Sequence, residues 1–471
     1  MSETVYYPFY IKTKLKHDFF QAYEILSSDA DYHAILESGR GGRYSIAGMN
    51  PSAVISVKDK EILVTEESGH RRYLNGHPLE WLQQYMSAVR VDRSPDLPDF
   101  QSGAIGFISY DAVRHFEALS TQSEDDLQIP DYFWMIFREL AILDHQSNEV
   151  YLIVLDEADN KEQAHKRLYE AEKKWQHPAS DSARTEYPLE TADIKEHFNP
   201  EQFKKAVKTI KEYIAAGDVF QVNLSTRQGV KLYDHPISLY EKLRAINPSP
   251  YMAYLETPEF QIVSGSPELL VKKSGTVLST RPIAGTRSRG KNHEEDIKLA
   301  RELIDNEKER AEHVMLVDLE RNDLGRVSKY GSVRVTEFMA IERYSHVMHI
   351  VSNVEGELAE GKTFSDIIRA VFPGGTITGA PKVRTMEIIE ELEPKRRGIY
   401  TGSIGWIDFN GDLELNIVIR TLFAKDGAGY IQAGAGIVID SNPDHEYKES
   451  LKKAAAVLKA AEQSQAEQMK G

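Results

Sequence analysis

Residues 400–436 read YTGSIGWIDFNGDLELNIVIRTLFAKDGAGYIQAGAG. Tyr400 to Ile407 reads as a strand, and Leu415 to Ile419 as an apolar strand that ends at Arg420. Asn410-Gly411 lies between them and Asp426-Gly427 follows. Both dipeptides accept the positive φ that a two-residue hairpin turn demands. Gln432 to Gly436 is a further strand with glycine at alternate positions, 434 and 436. A strand favours side chains, so glycines there indicate close approach by a ligand or by another stretch of backbone, or else a packing contact.

The rest of the chain extends this pattern. Ser52 to Val64 alternates like a strand with a break in its middle, and Gly103 to Tyr110 and Val150 to Leu155 read as buried strands. Glu157 to Trp175 turns helical and highly charged, and Gln176 to His197 is rich in Pro, Ser, Thr and acidic residues. This divides the chain into a β-rich N-terminal domain over 1–175, a linker over 176–198 and a second domain over 199–465. Asn199-Pro200 opens a helix with Phe203, Val207, Ile210 and Ile214 on its apolar face. A short strand over Val219–Thr226 and a hairpin-like pair, Tyr251–Leu255 and Phe260–Val263, come next. A long amphipathic helix is expected over Glu294–Asp323, a strand over Val347–Val354 and a final helix over about Asp444–Glu462. Interspersed elements with direct hairpins argue for an α+β fold with a mixed sheet and packed helices, not a doubly wound parallel sheet. No GxGxxG follows a strand, and no Walker-type loop is present.

The chain has 471 residues, 41% of them hydrophobic and 28% charged, enough for a large core. Its formal net charge of −16 argues against a nucleic-acid partner, because gripping phosphates needs a basic surface. There is no cysteine, so disulfides, thiolate metal ligands and a thiol nucleophile are excluded. The N-terminal run has no apolar signal core and no stretch approaches a membrane span, so a cytoplasmic protein without a membrane partner is expected.

Several constellations can carry chemistry. Asp305, Glu309 and Glu312 fall at i, i+4 and i+7 of one expected helix, and Glu446, Glu449 and Lys453 at i, i+3 and i+7 of another. Carboxylates converging from two helices can hold a hard cation such as Mg2+; equally, each set can be the solvated face of a charged helix. Phe372 to Lys382 places glycines just before a helix that starts near Pro381, where backbone N–H groups can cradle an anion or simply form a tight turn. His346 and His349 bracket Val-Met in a strand-like run, and a metal role would need further ligands.

Four ordered segments carry a resemblance: Arg281-Pro-Ile-Ala-Gly-Thr286, Glu309 to Asp323 (ERAEHVMLVDLERND), Gly374 to Lys382 (GGTITGAPK) and Gln432 to Ser441 (QAGAGIVIDS). Together they resemble the chorismate-utilising enzymes. That family includes the large subunits of anthranilate and aminodeoxychorismate synthases and the isochorismate and salicylate synthases. The run Ile35 to Ser45 (ILESGRGGRYS) resembles the aminating branch. The resemblance implies a large mixed or antiparallel β-sandwich flanked by helices. It also implies Mg2+ held by Glu312 and Glu449, with Glu309 and Glu446 supporting through water. Glu268, in Ser266-Pro-Glu-Leu-Leu270, would protonate the departing 4-hydroxyl of chorismate. Arg420, Tyr400, Lys453 and the backbone of Gly434 to Gly436 would bind the enolpyruvyl carboxylate. Thr286 and Thr376 would contact the ring carboxylate region, and His349 would sit by the ring or the enolpyruvyl group.

Within the family, water-using members carry a lysine base at the position matching Gln221. Glutamine cannot deprotonate water at neutral pH, so ammonia is the expected nucleophile. A glutaminase of the associated kind needs a cysteine nucleophile, which this chain lacks, so a separate glutaminase subunit in a heterodimer is expected. Many aminodeoxychorismate-forming members have lysine where this chain has Ala284, as anthranilate-forming members do. Against that position, Gly41 to Gly48, Asn247 to Tyr254 and Glu446 to Ser450 look closest to an aminodeoxychorismate-forming branch that has alanine there. The expected product is 4-amino-4-deoxychorismate; the alternatives are anthranilate with pyruvate, and a catalytically silent ligand-binding paralogue. Leu36-Glu-Ser38 and Pro250-Tyr-Met252 resemble the family's tryptophan pocket, with core packing as the other reading.

Overall fold

In the computed structural model, which describes residues 4–39, 42–179, 198–343 and 347–468, both hairpins of the 400–436 stretch form. Asp426 and Gly427 take φ of 50° and 75° and join Thr421–Lys425 to Ala428–Ile437 in antiparallel register. Gly411 takes φ of 81° between Ser403–Asp408 and Leu413–Asn416. The expected strand Leu415–Ile419 is shorter than the apolar run suggests. It ends at Asn416, because Ile417 to Arg420 carry the chain out of one sheet and into the other. Apolar residues are needed on that crossing for the same reason as in a strand: Ile417 and Val418 are fully buried.

Two twelve-stranded sheets are built from the described residues, and nearly every named pairing is antiparallel. Residues far apart in sequence alternate within each sheet. Tyr251–Glu256 pairs with His33–Glu37 in the first, and Ser403–Asp408 pairs with Gly103–Ile108 in the second. Ser52–Val64 resolves into the hairpin Ala53–Lys58 and Glu61–Glu66. The facing sides of the sheets share one apolar layer that includes Ile142 and Ile262 from the first sheet and Phe107 and Ile404 from the second. Helices cover both outer faces. Pro78–Ser87, Glu307–Gly325 and Phe364–Val371 pack on the second sheet, and Phe19–Leu26, Lys161–Gln176, Pro236–Ile246 and the C-terminal helix Pro443–Gln468 on the first. The α+β sandwich flanked by helices is therefore the observed fold. Burying each large apolar side chain in these layers contributes about 1.5–3 kcal/mol.

The helix Pro200–Ala216 starts as its sequence dictates, with Asn199 and Gln202 forming a reciprocal capping box and Gly217 closing it at φ 85°. The expected helix over Glu294–Asp323 is two helices, His293–Asp305 and Glu307–Gly325. Asn306 ends the first and caps the second, its Oδ1 accepting from Glu309 N at 3.0 Å. An asparagine side chain competes with the helical ladder and satisfies the orphan donors of a new first turn. Asp305 consequently does not share a helix with Glu309 and Glu312. Most of the linker, 180–197, lies outside the described residues, as does His346. No helix among the described residues is long and apolar enough to cross a membrane.

Candidate active site

Glu268 sits between the strands Gln261–Ser266 and Leu269–Ser274, 6% exposed. Its carbonyl accepts from Ile417 N at 2.9 Å, so the crossing segment that ends at Arg420 is anchored on the residue carrying the acid. Burial pushes the Glu268 carboxyl up to about 7, against the Thr376 hydroxyl, the Arg420 guanidinium and the Lys453 ammonium. The Thr376 hydroxyl faces the carboxyl but falls short of hydrogen-bond geometry, so that Glu268 Oε1 and Thr376 Oγ1 are both buried and without a hydrogen-bond partner among the described residues. An orphaned carboxyl oxygen costs about 1–3 kcal/mol, an expense that a bound partner removes. A carboxylic acid half-protonated near neutrality can deliver a proton to a leaving oxygen.

Thr286 and His349 are direct neighbours across paired strands, Ile283–Ser288 and Val347–Glu357. Thr286 Oγ1 lies 3.0 Å from His349 Nδ1, and Gly285 O lies 3.1 Å from the same nitrogen. His349 is 6% exposed, and burial lowers its pKa to about 4, so the ring is neutral at pH 7. Ala284 lies on the Thr286 strand, 8% exposed, and offers no nucleophile. Arg420 takes a left-handed φ of 52° at the end of the crossing, and its carbonyl accepts from Gly265 N. Its guanidinium acts electrostatically on both Glu268 and His349, which places it near both side chains.

The two carboxylate groups come from different helices. Glu309 and Glu312 lie on Glu307–Gly325, and Glu446 and Glu449 on Pro443–Gln468. Burial, then Glu309 and Glu449, raise the Glu312 carboxyl; Lys308 and Lys453 oppose them. Mutual repulsion of this kind is relieved by a cation between the groups. Burial also works to raise Glu449, but Lys453, at 2.9 Å, holds it below the usual range. His445, Glu446 and Glu449 bring one ligand atom each within 4.8 Å of one another. His445 was not legible as a candidate, because one exposed histidine in a charged first turn carries no signal of its own. Arg287 Nη1 donates to Glu309 Oε1 at 3.2 Å, a partner the sequence also left unmarked. All four glutamates offer oxygen donors, the set a hard divalent cation takes.

Gly434 and Gly436 lie on the strand Ala428–Ile437, paired with Ser225 and Asn223 of Gln221–Lys231. A Cβ at Gly434 would stand 2.6 Å from Leu224 O and 2.9 Å from both Asn223 Oδ1 and the Tyr400 hydroxyl. One at Gly436 would stand 2.4 Å from Gln221 Nε2. The close approach inferred from the glycines is thus made first by protein atoms. It brings Tyr400 and Gln221 onto the same strand that Lys453 reaches, Nζ donating to Gly434 O at 3.1 Å. Burial raises the Tyr400 phenol to about 12, so it stays a neutral donor. At the Gly-rich loop, Gly374 and Gly375 make room for Ile417, Leu270 and Leu319 side chains, while the helix Lys382–Leu392 begins just after Pro381 as expected.

The family model described as chorismate binding enzyme matches residues 32–459. Aminodeoxychorismate synthase component 1 of Bacillus subtilis (strain 168) is 56% identical over 453 residues, 96% of either chain. Anthranilate synthase component 1 of Acetivibrio thermocellus is 43% identical over 448 residues, 91% of this chain and 90% of that one. Among solved structures, anthranilate synthase component I from Streptococcus pneumoniae TIGR4 matches with a TM-score of 0.78 at 36% identity, covering 88% of this chain and 92% of that one.

Proposed function

The chain belongs to the chorismate binding enzyme family, and from that premise we propose that it aminates chorismate to 4-amino-4-deoxychorismate, as component 1 of an aminodeoxychorismate synthase. The observation that carries the reading is Glu268, a buried carboxyl raised to about 7 whose Oε1 has no hydrogen-bond partner among the described residues. In the proposed reaction a C–N bond to ammonia replaces the C–O bond at ring C4, the 4-hydroxyl leaves with the Glu268 proton as water, and the ammonium formed on the ring gives up a proton that restores the Glu268 acid. Neutral His349, fixed by Gly285 O and Thr286, provides an uncharged polar edge beside the ring. Arg420, Lys453 and the Tyr400 hydroxyl supply the charge and donors for a carboxylate, and Thr376 faces the acid. Glu309, Glu312, Glu446 and Glu449 would hold Mg2+, which when bound would neutralise substrate carboxylate charge and draw electron density from the ring.

The greater identity to the aminodeoxychorismate synthase relative than to the anthranilate synthase one supports the choice of product. Gln221, set beside Gly436, carries a neutral amide that cannot take a proton from water at neutral pH, and this supports ammonia as the nucleophile. The absence of cysteine supports a separate glutaminase subunit as its source, and the reading is of a cytoplasmic enzyme. The test is nitrogen dependence. With chorismate and Mg2+, the purified chain turns over with ammonium at alkaline pH and not with glutamine, and adding a glutaminase partner confers glutamine use. A chain that binds chorismate but consumes none with ammonium is the silent paralogue, and the proposal fails.

A further inference from the structure

Polar groups that the reaction does not use converge on one buried guanidinium. Arg397 is 3% exposed and lies between the helix Lys382–Leu392 and Tyr400. Its Nε donates to Glu393 Oε2 at 2.9 Å and its Nη2 to Glu393 Oε1 at 2.7 Å. The same Nη2 donates to Asn223 O at 2.6 Å, and Nη1 to Ile377 O at 3.0 Å and Thr401 Oγ1 at 3.3 Å. The guanidinium also lies over the Tyr400 ring, 5.4 Å from its centre. Glu393 Oε1 accepts from Ser225 N and Ser225 Oγ, both at 2.8 Å, and Gln432 Nε2 donates to Ser225 Oγ at 2.8 Å. Asn223 Nδ2 adds a direct link to Ile377 O at 2.9 Å.

The segments tied by this one ion pair are the ones that carry the substrate side of the site. Asn223 and Ser225 share a strand with Gln221. Ile377 follows Thr376. Thr401 follows Tyr400. Gln432 shares a strand with Gly434 and Gly436. A buried ion pair is a poor source of net stability, since desolvating both charges costs about what their attraction returns. What a planar five-donor fork supplies is fixed geometry, because each N–H direction is set once the plane is set. We infer that Arg397 and Glu393 form a positioning pair that holds Tyr400, Thr376 and the Gly434–Gly436 strand at the spacing a chorismate carboxylate requires. This rests on the chorismate reading above. Neither residue touches the reacting atoms in that reading; both act through the groups they hold.

Arg397→Lys keeps the charge and loses the fork, and Ser225→Ala removes only the hydroxyl that joins Glu393 to Gln432. Lys273→Met breaks a different buried pair, Lys273–Asp412 at 2.7 Å, and serves as a purely structural comparison. The expected result is a chorismate KM raised about tenfold or more in Arg397→Lys and about threefold in Ser225→Ala, with kcat changed less than KM, since misplacing binding groups weakens substrate capture. Lys273→Met lowers Tm and leaves KM unchanged. Direct chorismate binding, followed without ammonia by intrinsic fluorescence, weakens in parallel with KM. Should Arg397→Lys fail to fold, Ser225→Ala decides the matter by the same split. If the wild-type chain binds chorismate and both variants keep its KM, the positioning role is refuted and the functional reading stands. A wild-type chain that does not bind chorismate refutes both.

Discussion

Replacing Glu268 with glutamine keeps the side chain's shape and removes its proton. The wild-type carboxyl moves from 4.5 to about 7 on folding. At about 1.4 kcal/mol per unit, that is a cost of about 3 kcal/mol for the ionised form. The group is protonated in both folded and unfolded chains below pH 4.5, so no penalty exists there. As pH rises from 4.5 through about 7, the unfolded chain ionises first, and the fold loses about 3 kcal/mol relative to the glutamine variant. Two assays follow. In denaturant titrations, Glu268→Gln gains stability over wild type across that window and holds the gain above it. In kinetics at constant free ammonia, wild-type kcat/KM for chorismate falls about tenfold per pH unit above 7, as the acid form is lost. The variant loses about 10²–10⁴-fold in kcat, the usual contribution of a general acid, and its profile is flat through that region. A variant retaining a tenth of wild-type activity, or a wild-type profile without the basic limb, refutes Glu268 as the acid.

Three further outcomes are expected. Glu312→Gln and Glu449→Gln each weaken Mg2+ binding, read by calorimetric titration, by about 10–100-fold or more and abolish Mg2+-dependent turnover; in metal-free protein Glu312→Gln is the more stable chain at neutral pH, because the wild-type carboxyl is raised by burial and by Glu309. Unchanged Mg2+ affinity in both variants refutes the assignment. Gly434→Ala, whose Cβ would stand 2.6 Å from Leu224 O, costs about 1–3 kcal/mol in chemical denaturation and raises chorismate KM; a neutral result contradicts the packing described. His349 stays neutral down to about pH 4, so His349→Gln leaves the pH profile between 5 and 7 unchanged while lowering kcat; a limb near 6.5 that disappears in the variant would show a titrating imidazole instead.

Local chemistry made much of the scaffold readable. Asp426-Gly427 specifies a two-residue hairpin because few other dipeptides accept positive φ at both positions, whereas at Asn410-Gly411 only Gly411 takes positive φ and the loop, closed by Asp408 N donating to Asp412 O, is longer than the two residues expected. The Asn199 cap and Pro200 fix a helix start in the same way. Pairings such as Ala253 with Leu36 and Gly405 with Gly106 were not readable, because periodicity reports which face a residue occupies and not which distant strand lies beside it. The split at Asn306 did have a signal, an asparagine three residues before Glu309, which the continuous apolar pattern overrode. The site divides similarly. Glu268, the four glutamates, Arg420 and Lys453 were reached through their motifs, and the fold brings Arg420 and Lys453 within electrostatic range of Glu268. Arg397 was invisible: nothing in Arg396-Arg397-Gly398 distinguishes an enclosed arginine from an exposed one, and only the fold shows that it is enclosed.

The most direct test is identification of the product. The purified chain is incubated with chorismate, Mg2+ and ammonium, and the mixture is resolved by chromatography and mass while pyruvate is followed enzymatically. The account predicts 4-amino-4-deoxychorismate with the enolpyruvyl group retained, no pyruvate, and p-aminobenzoate once the corresponding lyase is added. Anthranilate with stoichiometric pyruvate, and no p-aminobenzoate, would contradict it.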